Sequence, residues 1–222
     1  MTPTGAWDWG FALSILPQLL SATVYSVFAT GLSFVGALLL GLPLAVARDA
    51  ASRPLRVVTG AVVEFVRSTP ILIQVYFLYF VLPTLGIVLP ALVVGVLALS
   101  LHYGTYVSEA YRAGIASVGQ GQRNAAAAIG LSPRAAFFLV ILPQAIPPIV
   151  PALGNYLIAL FKETPLLSAI AIVELLQTAK LIGSETFRYN EPITMVGFIL
   201  LALSLLSAAL VRRVERWANR WR

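Results

Sequence analysis

The chain has no cysteine, one histidine and very little charge. Each shortage removes a class of chemistry. Without cysteine there are no disulfides, no thiol nucleophile and no thiolate metal site. One histidine cannot form a His-rich metal cluster and leaves few nucleophile–base pairs. Neither a metal site nor a catalytic residue is expected. Charged side chains make up 11% of the 222 residues, against 59% hydrophobic. A soluble domain of this size could not bury so much apolar surface and still cover itself with polar groups. The expected solvent is lipid. Also missing is G-x-x-x-x-G-K-[ST]: "SVGQGQR" (117–123) lacks the lysine, so no nucleotide site or other bound cofactor is expected on this chain. The opening "MTPTGAWDWG" has no basic stretch leading into an apolar run and a cleavage site, so no removable signal peptide is expected.

The charge that is present is patterned. The net charge is +6, and the arginines cluster. Arg48, Arg53 and Arg56 form one group, Arg112, Arg123 and Arg134 a second, and Arg212, Arg213, Arg216, Arg220 and Arg222 a third. They fall between apolar runs. That is the loop bias of a membrane protein with its basic loops in the cytoplasm, not a nucleic-acid surface.

A hydrocarbon layer of ~30 Å needs roughly 20 apolar residues in a helix. Runs at 19–47, 57–82, 91–111, 135–161 and 192–211 predict five transmembrane helices. The first is long enough to tilt or to project past the membrane. "PTLGIVLP" (83–90) is a turn between the second and third. Residues 166–183, "LLSAIAIVELLQTAKLIG", are less apolar and predict a short helix lying partly in the membrane on its outer side. For all three arginine groups to lie inside, the N-terminus must be outside and the C-terminus inside. Trp7 and Trp9 then fall at the outer interface, and Trp217 and Trp221 at the inner one. There is no internal repeat or low-complexity linker, so residues 1–222 read as a single all-α integral membrane domain. The fourth run holds Pro143, Pro147, Pro148 and Pro151. Proline deletes a helix hydrogen bond, and broken backbone at membrane depth survives only against protein or water. A break is expected there, with a kinked packing helix as the alternative.

Between the third and fourth runs stands "RNAAAAIGLSPRAAFFLVILPQ" (123–144). Gly130 suits the left-handed residue past a helix end. Ser132 suits the N-cap of the next helix and Pro133 its first position. The alanines make the helix ending at Ile129 slim enough to approach another surface closely. It reads as a cytoplasmic docking helix, or else as a structural loop.

This segment resembles the cytoplasmic loop of permease subunits of bacterial ABC importers, whose pattern is E-A-A, three residues, Gly, nine residues, I-x-L-P. Asn124, Ala125 and Ala126 stand at E-A-A, Gly130 at the glycine, and Val140, Ile141, Leu142 and Pro143 at I-x-L-P. Asn124 replaces the acid. "EFVRSTPILIQVYFLYFVLP" (64–83), "EAYRAGIASVGQGQ" (109–122) and "FKETPLLSAI" (161–170) are similar to the polar amino acid uptake branch. "WDWGFALSILPQLL", "LHYGTYVSEAYRAGI" and "ETFRYNEPIT" most resemble permeases of ectoine and hydroxyectoine importers. The resemblance implies a coupling loop at about 112–134, with Asn124, Ala125, Ala126, Gly130, Ser132 and Pro143 as ATPase-coupling residues. It implies a second permease, identical or related, two ATP-binding subunits that carry ATP and Mg, and an extracytoplasmic solute-binding protein. The implied location is the bacterial cytoplasmic membrane, and the solute is small and zwitterionic, a polar amino acid or ectoine.

Candidates for the solute path are polar residues within the runs, where charge is costly. Arg67, Thr69 and Gln74 lie in the second run. Glu64 and Arg67, spaced i, i+3, either pair on one face or leave Arg67 for the solute, and Gln74 lies one heptad beyond. His102 and Tyr103 lie in the third. Tyr76, Tyr79 and Tyr106 are an ordinary aromatic lining or a cation-binding face. "FKET" supplies Lys162, Glu163 and Thr164: Glu163 meets a cationic end with the other two nearby, or the charges snorkel to the outer interface. Two other classes remain open. An ion-coupled secondary transporter or channel would move solute without ATP, and a membrane enzyme would use Glu64, Glu109 or Glu174 as its acid.

Overall fold

The computed structural model describes residues 7–218, all helix and connecting turns. Arg220 and Arg222 of the third arginine group, and Trp221, lie outside the described residues. The helices are α1 (Trp9–Arg48), α2 (Arg53–Ser68), α3 (Ile71–Tyr76), α4 (Ala91–Ala116), α5 (Gln120–Ala128), α6 (Pro133–Ala136), α7 (Leu142–Glu163), α8 (Leu175–Thr186) and α9 (Asn190–Ala218). Four stretches are long and apolar enough to span a membrane, and a bent pair from Arg53 to Leu85 makes a fifth.

α1 begins ten residues before the expected run and passes through Pro17 and Pro43 without breaking. Its 40 residues reach about 60 Å, twice the hydrocarbon thickness. It packs along α4 through small residues. Ser100 donates to the Ser33 carbonyl at 3.2 Å. A Cβ at Gly41 would lie 2.5 Å from a Val107 methyl and 3.1 Å from the Gly104 carbonyl. Lipid gives apolar helices no reason to prefer each other, so close backbone approach through small residues holds them together.

Three expectations need correction. The second run is not one helix: it bends by 103° between Ser68 and Ile71. Thr69 and Pro70 are both extended, with ψ of 138° and 133°. Proline excludes its predecessor from the helical region, so the break is written in "STP". Beyond it α3 loosens into a π turn (Phe77–Val81) and a 3-10 turn (Leu82–Leu85). The fourth run, by contrast, does not break. α7 stays helical through Pro147, Pro148 and Pro151. The irregularity lies upstream, in a π turn at Phe137–Ile141 that ends two residues before Pro143. Proline's φ is compatible with the helix, and only its donors are lost.

Residues 166–183 are also not one helix. A 3-10 segment (Thr164–Ile170) ends at left-handed Ala171, and α8 follows. Glu174, fully buried, caps α8 by accepting from the Leu176 and Gln177 amides at 3.0 and 2.8 Å. Burial raises its pKa above the usual carboxylate range, opposed by those amides.

Ionic groups tie both ends. At one end Arg48 meets Glu109 at 2.8 Å, and Arg112 meets Asp49 at 2.9 Å and Glu109 at 3.1 Å. At the other, Arg188 pairs with Asp8 at 3.3 Å and with Glu191. It also lies 4.6 Å from the centre of the Phe11 ring. The start of α1 and the α8–α9 corner are therefore on one face of the molecule.

Candidate functional site

The break between α2 and α3 changes which polar residues meet. Arg67 and Glu64 do not pair. Glu64 is exposed and accepts only a long bond from Ser68, 3.5 Å. Arg67 instead faces α4, its guanidinium carbon 4.8 Å from the centre of the Tyr106 ring. Gln74 does share this neighbourhood, but not through heptad spacing. Its amide nitrogen reaches back across the break to donate to the Val66 carbonyl (2.7 Å) and the Thr69 hydroxyl (2.7 Å) and lies 3.1 Å from His102 Nδ1.

α4 supplies the aromatic floor. His102, Tyr103 and Tyr106 lie within one turn, and Tyr156 of α7 closes the cluster. Ring centres are 5.4 Å apart for His102–Tyr106, 6.1 Å for Tyr103–Tyr106, 6.4 Å for Tyr103–Tyr156 and 5.8 Å for Tyr106–Tyr156. The Glu163 carboxylate adjoins the Tyr103 hydroxyl. A line of side chains thus runs from a cation, Arg67, over tyrosines to an anion, Glu163. Three atoms in it are shielded from solvent and have no hydrogen-bond partner among the described residues: Arg67 Nε, Gln74 Oε1 and Glu163 Oε2. Such atoms are costly unless something else satisfies them.

Of the sequence candidates, the fold brings together Arg67, Thr69, Gln74, His102, Tyr103 and Glu163. It separates the other two. Lys162 is exposed. Thr164 is fully buried and bonds Thr30 of α1 at 2.6 Å and the Leu160 carbonyl at 2.9 Å, so it joins helices. Tyr156 belongs to the cluster and was not singled out in the sequence. Its only local signal is an aromatic in a run expected to break.

The segment after α4 folds as a separate small unit. α5 starts after Gly119 and ends in a turn at Gly130, φ 76°. The Leu131 amide donates to the Ala126 carbonyl at 3.1 Å and the Gly130 amide to Ala127 at 3.0 Å, which closes the helix end. Ser132 then caps α6, accepting from the Ala135 amide at 3.3 Å, with Pro133 in the first turn. Ala125 is exposed and Ala126 buried, and Pro143 opens α7. Asn124 accepts from Gln120 at 3.1 Å. Arg123 turns back to the Ile115 carbonyl at 2.9 Å and braces α5 against the end of α4.

Residues 37–220 match the model of the binding-protein-dependent transport system inner membrane component. A probable amino-acid ABC transporter permease of Sinorhizobium fredii is 47% identical over 96% of this chain and 92% of its own. The L-cystine transport system permease protein of Bacillus subtilis is 36% identical over 92% and 89%. Among solved structures, an amino acid ABC transporter crystallised with histidines superposes with a TM-score of 0.90 at 34% identity, covering 95% of this chain and 99% of that one. An inward-facing methionine ABC transporter shares the fold, with a TM-score of 0.73 at 22% identity. The helices, their order and these likenesses agree: the chain belongs to the binding-protein-dependent transport system inner membrane component family and is a multi-pass permease subunit of an ABC transporter.

Proposed function

We propose that the cluster from Arg67 to Glu163 is where this permease holds its solute, a small zwitterion of the amino-acid kind, during ATP-driven import. The carrying observation is the set of shielded, partnerless atoms on Arg67, Gln74 and Glu163 around the tyrosines. A zwitterion brings a carboxylate for Arg67, a cation for Glu163 and a donor for Gln74. Taking either charge out of water without a partner costs several kcal/mol, and these groups supply the partners. A delocalised cation such as the ectoine ring would also use the tyrosine faces. That is the narrower reading; the relatives named above carry cystine and other amino-acid labels.

The remaining parts of the importer follow from the family. ATP-binding subunits dock at α5 and hydrolyse ATP with Mg, and an extracytoplasmic binding protein delivers the solute. The cytoplasm is then on the α5 side, with the N-terminus outside and the C-terminus inside. A second permease completes the path. α2 supports that partner: Leu55, Val57, Val58, Val62 and Phe65 are exposed beside exposed Glu64. A charge on a lipid-facing helix centre costs about 2.5–3.5 kcal/mol on insertion scales, so a protein neighbour is favoured there.

The test uses Glu163→Gln in a complex that still assembles and hydrolyses ATP. Loss of uptake with normal affinity of the binding protein for solute supports the site. Wild-type uptake at low solute concentration removes it. The native absence of cysteine makes orientation testable too: cysteines at Ser117, Ser132 and Arg216 label only from the cytoplasm, and one at Thr84 only from outside.

A further inference from the structure

Phe187 closes the C-terminal end of α8 in the left-handed region, with φ 56°. Helix ends normally give this place to glycine, because a Cβ is strained there. Phe187 takes the strain without being buried among the described residues: it is 90% exposed, the most exposed of the large hydrophobic residues described. The corner that carries it is rigid. Arg188, the next residue, pairs with Asp8 and Glu191 and covers the Phe11 ring. Tyr189 packs on Gly183 so closely that a Cβ there would sit 2.5 Å from the ring. Strained residues persist where their surroundings over-determine them, which is commonest at functional positions.

The neighbours say what the ring meets. Its chain neighbours Ser184, Glu185, Thr186 and Asn190 are exposed and polar, and Tyr189 is exposed too. A ring entering lipid would extend an apolar run of the chain, whereas this one is flanked in sequence by exposed polar residues. A rigid aromatic within a polar rim is the anatomy of a protein–protein anchor. It lies on the face that holds the start of α1, about 60 Å of helix away from the Arg48 end, which pairs with Glu109 on the part of α4 that leads to α5.

We propose that Phe187 is an anchor for the solute-binding protein, inserted into an apolar pocket on one of that protein's lobes when it docks. The proposal rests on the importer reading and its orientation.

The complex of this permease with its ATPase is placed in nanodiscs. The solute-binding protein of the same importer is titrated with and without a mixture of the twenty common amino acids. Phe187→Gly relieves the backbone strain, so assembly and thermal midpoint stay at or above wild type. The binding-protein concentration for half-maximal binding rises tenfold or more, and Phe187→Tyr restores it. Unchanged binding by Phe187→Gly overturns the anchor. A second arm uses Phe187→Cys carrying an environment-sensitive fluorophore. A blue shift only after binding protein is added supports the proposal. A blue shift in nanodiscs alone makes Phe187 a lipid anchor and overturns it. Labelling of position 187 only from the cytoplasm overturns the orientation, which separates failure of the importer reading from failure of the anchor.

Discussion

The Arg67 guanidinium lies 4.8 Å from the centre of the Tyr106 ring, so a cation on α2 rests on an aromatic face of α4. The contact depends on the flat shape of the guanidinium, which lysine lacks. Arg67→Lys is expected to lower uptake tenfold or more at low solute and less at saturation. Tyr106→Phe keeps the face and stays close to wild type, whereas Tyr106→Ala behaves like Arg67→Lys. Initial uptake rates across a solute series decide. Normal uptake by Arg67→Lys would leave the arginine as a packing group.

The α1–α4 seam makes a different kind of prediction. Gly41→Val would force side-chain atoms into Val107 and the Gly104 carbonyl. Overpacking of this kind costs about 1–3 kcal/mol. A lower thermal midpoint and less purified complex are expected. Gly31→Ala, where a Cβ meets nothing within 4 Å, is the control and should change neither.

These contacts were unequally legible in the sequence. The turn at Gly130, Ser132 and Pro133 could be read directly, because each residue acts on its own backbone. The membrane class and the helix count came from composition and run length. The Arg67–Tyr106 contact could not be read, because helical spacing pointed Arg67 at Glu64. Side-chain direction in α2 is set by what α4 offers, and the bend at Thr69–Pro70 replaced heptad geometry beyond it. The bend itself was available in "STP". Tyr156 was hidden by the opposite error, the expectation that four prolines break a helix whose φ they fit. Lys162, Glu163 and Thr164 are consecutive but face solvent, the tyrosines and α1 respectively, which follows from about 100° of turn per residue.

Asp8 links acidity to the ionic clamp around Arg188. The Phe11 amide donating to Asp8, with Arg188 beside it, holds its carboxyl below the usual carboxylate range. A depressed pKa adds stability that is present above the unfolded carboxylate pKa and is lost as pH falls through the folded one. Thermal midpoints of the wild type and Asp8→Asn are therefore expected to differ at pH 7 and to converge below about pH 4. A constant gap down to pH 3 would show that the charge on Asp8 contributes nothing.

The turn at Gly130, proposed above as the ATPase docking site, gives the last prediction, in two parts. Gly130 has φ 76° and open space around its missing Cβ. A substitution there acts through the backbone and not through a clash. Asparagine tolerates the left-handed region, and a β-branched residue does not. Gly130→Asn should keep uptake and ATPase stimulation near wild type, while Gly130→Val inserts in the membrane but binds its ATPase poorly. Equal effects would mean that side-chain volume, not conformation, matters at the docking surface. The face next to it is uncharged. Asn124 pairs with Gln120, and the one charge on α5, Arg123, is spent on the Ile115 carbonyl. If the ATPase docks here, its surface facing position 124 is expected to carry no cation. Asn124→Glu would bury an unpaired carboxylate there, which is costly. Co-purification with the ATPase and uptake should fall several-fold, with Asn124→Ala closer to wild type. Tighter assembly by Asn124→Glu would instead reveal a basic group on the ATPase facing this position.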